Sequence, residues 1–200
     1  MTSTKGNTTR QAILAHAGLL ATRVGLEGVT IGRLAEDLDL SKSGLFAHFR
    51  SKEELQMQTI EHQRVRFVES VVAPVLSAPG GEQRVRALFD RWMEWRTSQP
   101  GGCFFAAASF ELDDRPGPVR DRLAELQREW LQTITRIAES AVKRGWFRSD
   151  LDPELWAHEF YGMMLSYHLA EQLLRDPGAT NRVHRSFELL LARSRAAAAA

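Results

Sequence analysis

Lys42, Ser43 and Gly44 stand in a row, with Phe46 and His48 just beyond them. An ammonium, a hydroxyl, an imidazole and one bare backbone position make a surface that hydrogen-bonds at close range to an electron-rich partner. Thr30, Ser41 and Lys52 add two hydroxyls and a second ammonium nearby. Such groups suit phosphate oxygens, which fix position, and base edges, which carry sequence. Gly44 acts by absence, since no side chain there holds the backbone away from a base. The aromatic ring of Phe46 fits a thymine methyl, a sugar or an apolar interior, and its type does not choose among them.

Two short helices are needed to hold these groups. Thr30 is an N-cap residue, with Val29 and Leu34 at the staple positions around it. Leu34, Ala35 and Leu38 form one apolar stripe at helical spacing. Asp39 interrupts the stripe, and Leu40 returns toward the same core. Ser41 caps a second helix whose Leu45 and Phe49 face inward, leaving Lys42, Ser43, Gly44, Phe46 and His48 on the other side. Helices crossing at a short turn, the second with an adhesive outer face, describe a helix-turn-helix. In that arrangement Lys42, Ser43 and Gly44 approach base edges in a major groove. Thr30, Ser41, His48 and Lys52 hold phosphates. Ser51 and Glu54 read as a capping box opening a long helix at 52–77, whose N-terminus joins Lys52 in attracting an anion. Pro74 is expected to bend or end it.

The run from Thr30 through Ile31, Leu34, Ala35, Leu40, Ser41, Leu45, Phe46, His48 and Phe49 to Lys52, Glu53, Glu54 and Leu55 resembles the DNA-binding motif of the TetR family of transcriptional regulators. Two positions depart from the family pattern. Asp39 stands where glycine is usual in the turn, and aspartate tolerates a left-handed backbone better than most residues. Phe46 stands where tyrosine is usual, so the hydroxyl that reaches a phosphate in relatives is missing.

The resemblance implies an all-α fold: a three-helix DNA-binding head at residues 1–50 and a six-helix ligand-binding and dimerisation body at 51–200. It implies a homodimer on a palindromic operator in double-stranded DNA, most often a repressor released by a small-molecule effector. A pocket for a largely apolar effector would draw on Phe89, Trp92, Met93, Arg96, Cys103, Phe104, Trp130, Tyr161, Met164 and His168. Arg96, Glu111, Gln127, His168 or Glu171 would supply its polar anchors. Leu155, Leu165, Leu169, Leu173, Phe187, Leu190 and Leu191, on the last two helices, would meet their copies across the dimer. The competing reading is a helical small-molecule-binding protein or enzyme whose helix-turn-helix is only structural.

The rest of the chain fits an all-helical layout. Residues 1–7 read as a tail, followed by an amphipathic helix at 8–23 that Gly25 stops. Further helices are predicted at 82–97, 103–112, 118–144, 153–175 and 180–195, the fourth opened by the Asp152-Pro153 start signal. No alternating apolar pattern predicts a strand. Seven Lys and Arg against four Asp and Glu give residues 1–52 a charge of +3, so the remainder of this +1 chain carries −2. A basic end on a slightly acidic body suits a polyanion partner.

Catalytic signatures are missing. There is no His-Glu-x-x-His, nucleophile elbow, phosphate loop or dinucleotide fingerprint. His158, Glu159, His168 and Glu171 lack metal-ligand spacing, so no metal, cofactor or enzymatic activity is expected. The lone Cys103 fits a reducing cytoplasm and is expected to pack. No apolar run is long enough to cross a bilayer, so no membrane partner is expected.

Overall fold

The computed structural model describes residues 4–196, so the closing alanines beyond Ala196 and residues 1–3 of the expected tail lie outside it. α1 (Thr4–Val24) begins within that expected tail, because Thr4 to Asn7 are already helical. α2 (Ile31–Asp37) and α3 (Lys42–His48) follow. α4 (Lys52–Phe67) continues through a widened π-type turn at Val68–Val72 into α5 (Ala73–Ser77). The remaining helices are α6 (Glu82–Thr97), α7 (Phe104–Leu112), α8 (Pro118–Lys143), α9 (Pro153–Gln172) and α10 (Ala179–Ser194). Among the described residues, extended pairing is limited to one antiparallel bridge between Phe147 and Arg195.

Pro74 does not end the helix begun at Lys52. Proline lacks an N–H and its ring crowds the carbonyl one turn back. The backbone widens immediately before it, a usual accommodation, and helix then runs on to Ser77.

The chain packs as two compact units. One comprises the residues up to Val68 with Arg96–Leu126; the other comprises Glu69–Trp95 with the residues from Gln127 on. The packing therefore does not divide at residue 50. In the first unit α1 packs against α2, α4 and α7, and α2 against α3. Its core joins Ile13, Leu34, Leu45 and Phe49 of the head to Phe104, Leu112 and Leu123. α1 has apolar residues on more than one face, so the three-helix head shares its interior with α7 and the start of α8.

In the second unit α9 packs along α10. Phe89 stacks on Phe187 with ring centroids 4.3 Å apart, and Trp156 stacks on Phe160 at 5.2 Å. The Trp156 indole N–H donates to Ser194 Oγ at 2.9 Å, and that hydroxyl donates to Leu190 O at 2.6 Å, so the buried polar groups are paired. Asp152 caps α9 as predicted, accepting from Glu154 N and Leu155 N.

Candidate nucleic-acid interface

Each helix around the predicted surface opens on a side-chain cap. Thr30 Oγ1 accepts from Arg33 N at 3.2 Å, Ser41 Oγ from Gly44 N at 3.0 Å, and Ser51 Oγ from Glu54 N at 3.0 Å. Capping uses the lone pairs of Thr30 and Ser41 and leaves each O–H proton for an outside acceptor. The expected capping box closes one residue early, since Glu54 Oε2 accepts from Arg50 N at 2.9 Å rather than from Ser51.

The turn between α2 and α3 forms around Asp39, whose φ of 52° is left-handed. Leu40 N donates to Ala35 O at 2.9 Å and Asp39 N to Glu36 O at 3.4 Å, a Schellman-type closure that needs this backbone. Aspartate thus takes the conformation that glycine adopts most readily.

α3 buries Leu45, and the following Phe49 is buried as well. Its other face carries exposed Lys42, Ser43, Gly44, Phe46 and Ala47, with His48 half-buried. Phe46 is 54% exposed, so it is not part of the core. A Cβ on Gly44 would sit 3.0 Å from Ser41 Oγ, against the cap that opens the helix.

Lys52 is exposed at the start of α4, and its ammonium donates to Glu27 Oε2 at 2.8 Å. Gln56 Nε2 donates to the other oxygen, Oε1, also at 2.8 Å. The bonds from Lys52 and then Gln56 hold the Glu27 carboxyl below its usual range. Sequence reading missed this role for Glu27, which local periodicity marks only as a turn residue. Arg10 was missed for the same reason. From α1 its guanidinium lies 5.6 Å from the Phe49 ring centroid, and its Nε donates to Gln58 Oε1 at 2.9 Å.

Of the residues expected around an effector, Phe89, Trp92, Met93, Trp130, Tyr161, Met164 and His168 fall in the second unit. Arg96, Cys103 and Phe104 belong to the first. All are buried except Met93 and Tyr161, which are half-buried. Glu111, expected as a polar anchor, is engaged otherwise: its carboxylate accepts from Leu26 N at 2.6 Å and Glu27 N at 2.9 Å. None of the ten expected pocket residues lines a polar surface cleft of about 160 Å³ bounded by Arg148, Asp152, Trp156, Glu159 and Arg193.

Three residues expected at a subunit interface are interior instead. Phe187, Leu190 and Leu191 are 2%, 4% and 0% exposed, with Phe187 taken up by Phe89 and Phe160. Helical periodicity marks a face as apolar without saying which neighbour covers it. Leu155, Leu169 and Leu173 are exposed and Leu165 is half-buried, and Leu174 and Leu189 join the exposed set.

Among the described residues no group of three or more His, Cys, Asp or Glu is placed to hold a metal ion. No helix there is long and apolar enough to cross a membrane.

A capped helix-turn-helix with an exposed second helix, on an all-α chain, defines a helix-turn-helix DNA-binding protein. Residues 13–56 match the family model for bacterial regulatory proteins of the tetR family. Residues 81–187 match that for the tetracyclin repressor-like C-terminal domain. The chain belongs to the TetR family and is a DNA-binding transcriptional regulator. No curated protein matches it in sequence.

Solved structures share the fold along nearly the whole chain. A TetR-family regulator from Cytophaga hutchinsonii is 20% identical with a TM-score of 0.86, covering 99% of this chain and 100% of its own. One from Chloroflexus aurantiacus J-10-FL is 23% identical with a TM-score of 0.85, covering 98% and 100%. AibR, solved in complex with isovaleryl coenzyme A and operator DNA, is 22% identical with a TM-score of 0.69, covering 89% and 97%.

Proposed function

We propose that this chain is a cytoplasmic homodimeric repressor that releases a palindromic operator when a small, largely apolar ligand binds its helical body. The observation that carries the reading is the outer face of α3. It is exposed, opened by the Ser41 cap, and populated by Lys42, Ser43, Gly44 and Phe46. Lys42, Ser43 and Gly44 read base edges, while Thr30, Ser41, His48 and Lys52 seat the phosphates.

One short helix per chain binds weakly. Two held rigidly by a dimer gain through effective concentration and address successive major grooves roughly 34–36 Å apart. Leu155, Leu169 and Leu173 of α9, with Leu189 of α10, offer exposed apolar surface for the pairing. AibR, solved with an acyl coenzyme A and operator DNA together, supports a ligand-responsive reading of the shared fold. The effector acts through its different affinity for two arrangements, favouring the one that cannot bind DNA. The reading assigns the chain binding rather than catalysis.

A gel shift with the promoter DNA beside the chain's own gene tests the proposal. A salt-sensitive complex of the dimer is expected. Folded, dimeric protein that leaves this DNA unshifted at low salt would reject it.

A further inference from the structure

Glu111 lies at the end of α7, far along the chain from the helix-turn-helix, yet its carboxylate is spent on the turn between α1 and α2. Oε2 accepts from Leu26 N at 2.6 Å and Oε1 from Glu27 N at 2.9 Å. Successive N–H groups after a left-handed residue form a small anion-binding concavity. Gly25 supplies that residue, with φ of +78°. A side chain at position 25 would also collide with the Glu111 carboxylate. The turn is thus built to receive this one acid. A second tie at the other end of α7 runs from Gly101 N to Thr22 Oγ1 at 3.0 Å.

The same turn is gripped from the DNA side. Glu27, whose backbone N–H Glu111 holds, uses its own carboxylate to accept from Lys52 and Gln56 at 2.8 Å each. Gln56 also donates to Leu26 O at 3.3 Å. Two hydrogen bonds therefore join α7 to the turn, and three join the turn to the start of α4. All of these residues belong to the first compact unit.

We infer that Glu111 is a positioning residue for DNA binding: through the Leu26–Glu27 backbone it sets where α4 presents Lys52. This rests on the regulator reading above and adds a residue that touches no DNA itself. A displacement of α7 then reaches the phosphate-binding end of α4 through hydrogen bonds of fixed geometry.

The test is a double-mutant cycle on operator binding, using the promoter DNA beside the chain's own gene and a random duplex as control. Glu111→Gln keeps the size of the side chain but has a single oxygen to offer two N–H groups. It is expected to weaken operator binding about tenfold, the order of one charge-assisted hydrogen bond. Its salt dependence should flatten, as is expected of Lys52→Ala, and adding Lys52→Ala should cost little more. Amide exchange at Leu26 and Glu27 should quicken while Leu34 and Leu45 stay protected, which separates loss of the clamp from loss of fold. Glu111→Asp, charged but a methylene shorter, should fall between. Should neither variant fold, the wild-type protein still decides: Leu26 and Glu27 amides must gain protection when operator is added.

Additive effects of the two substitutions, unchanged operator binding by folded Glu111→Gln, or wild-type amides indifferent to operator would each overturn the inference. Wild-type protein that binds no DNA would instead overturn the regulator reading.

Discussion

Lys52 Nζ donates to Glu27 Oε2 across 2.8 Å, tying the first residue of α4 to the turn that precedes α2. Both side chains are well exposed, at 44% and 37%, so the pair is screened by solvent and adds little to stability. Its significance is orientation. An ammonium has three donors, so Lys52 keeps this bond and still presents protons outward.

Lys52→Ala should therefore weaken binding by a similar factor on every DNA sequence and lower the salt slope by about one. Ser43→Ala should leave the salt slope alone and change which bases are preferred. Affinity measured across salt on a small set of operator variants separates the two. Identical behaviour would contradict the division between phosphate and base contacts.

Phe46 is more than half exposed, so its removal tests function without touching the core. Phe46→Ala should leave the unfolding free energy, measured in urea, within about 0.5 kcal/mol of wild type, as surface substitutions do. Operator binding should weaken. Phe46→Tyr restores the hydroxyl usual in the family and should tighten it. A large loss of stability in Phe46→Ala would place the ring in the core after all.

The left-handed backbone at Asp39 makes a prediction of the opposite kind, about stability alone. Asp39→Gly relieves the conformational penalty and should raise stability by up to about 1 kcal/mol, while Asp39→Val should cost about 1–2 kcal/mol. Urea unfolding of the two variants checks the sign. A valine variant as stable as wild type would mean that the turn does not depend on this conformation.

Acid should weaken the second unit through Glu82. Its carboxylate accepts two bonds from Arg195 at 2.8 Å and one from Arg86 at 2.9 Å. The Arg195 bonds first, then Arg86 against the opposing effect of burial, pull its pKa from 4.5 to about 2. A carboxyl with a folded pKa below its unfolded value stabilises fully above the unfolded value. That contribution drains away as pH falls through the folded one. Glu188, held by Arg86, shifts in the same direction. The urea midpoint should fall as pH drops from about 5 toward 2, and Glu82→Gln should flatten that fall. An equally steep fall in the variant would assign the acid sensitivity elsewhere.

What sequence reading reached was set by range. The Thr30, Ser41, Ser51 and Asp152 caps, the Gly25 stop and the Asp39 turn all depend on residues within a few positions of one another, and the structure has each of them. The inward faces of α2 and α3 were legible because 3.6-residue periodicity is local as well. The Glu27–Lys52 and Glu111 links are not of that kind. They join groups separated by 25, 84 and 85 positions, and nothing in the local pattern distinguishes these acids from solvated ones. Phe187, Leu190 and Leu191 mark the same boundary: their apolar face was evident, but its being covered from within the chain was not. The early start of α1 escaped because Thr4 to Asn7 carry no apolar repeat.

Hydroxyl-radical footprinting of the dimer on the promoter DNA beside its own gene tests most directly whether α3 is presented twice to one duplex. Two protected patches on one face of the helix, centred roughly 34–36 Å apart and both lost in a Lys42→Glu variant, are expected. A single patch, or protection that survives Lys42→Glu unchanged, would contradict the account.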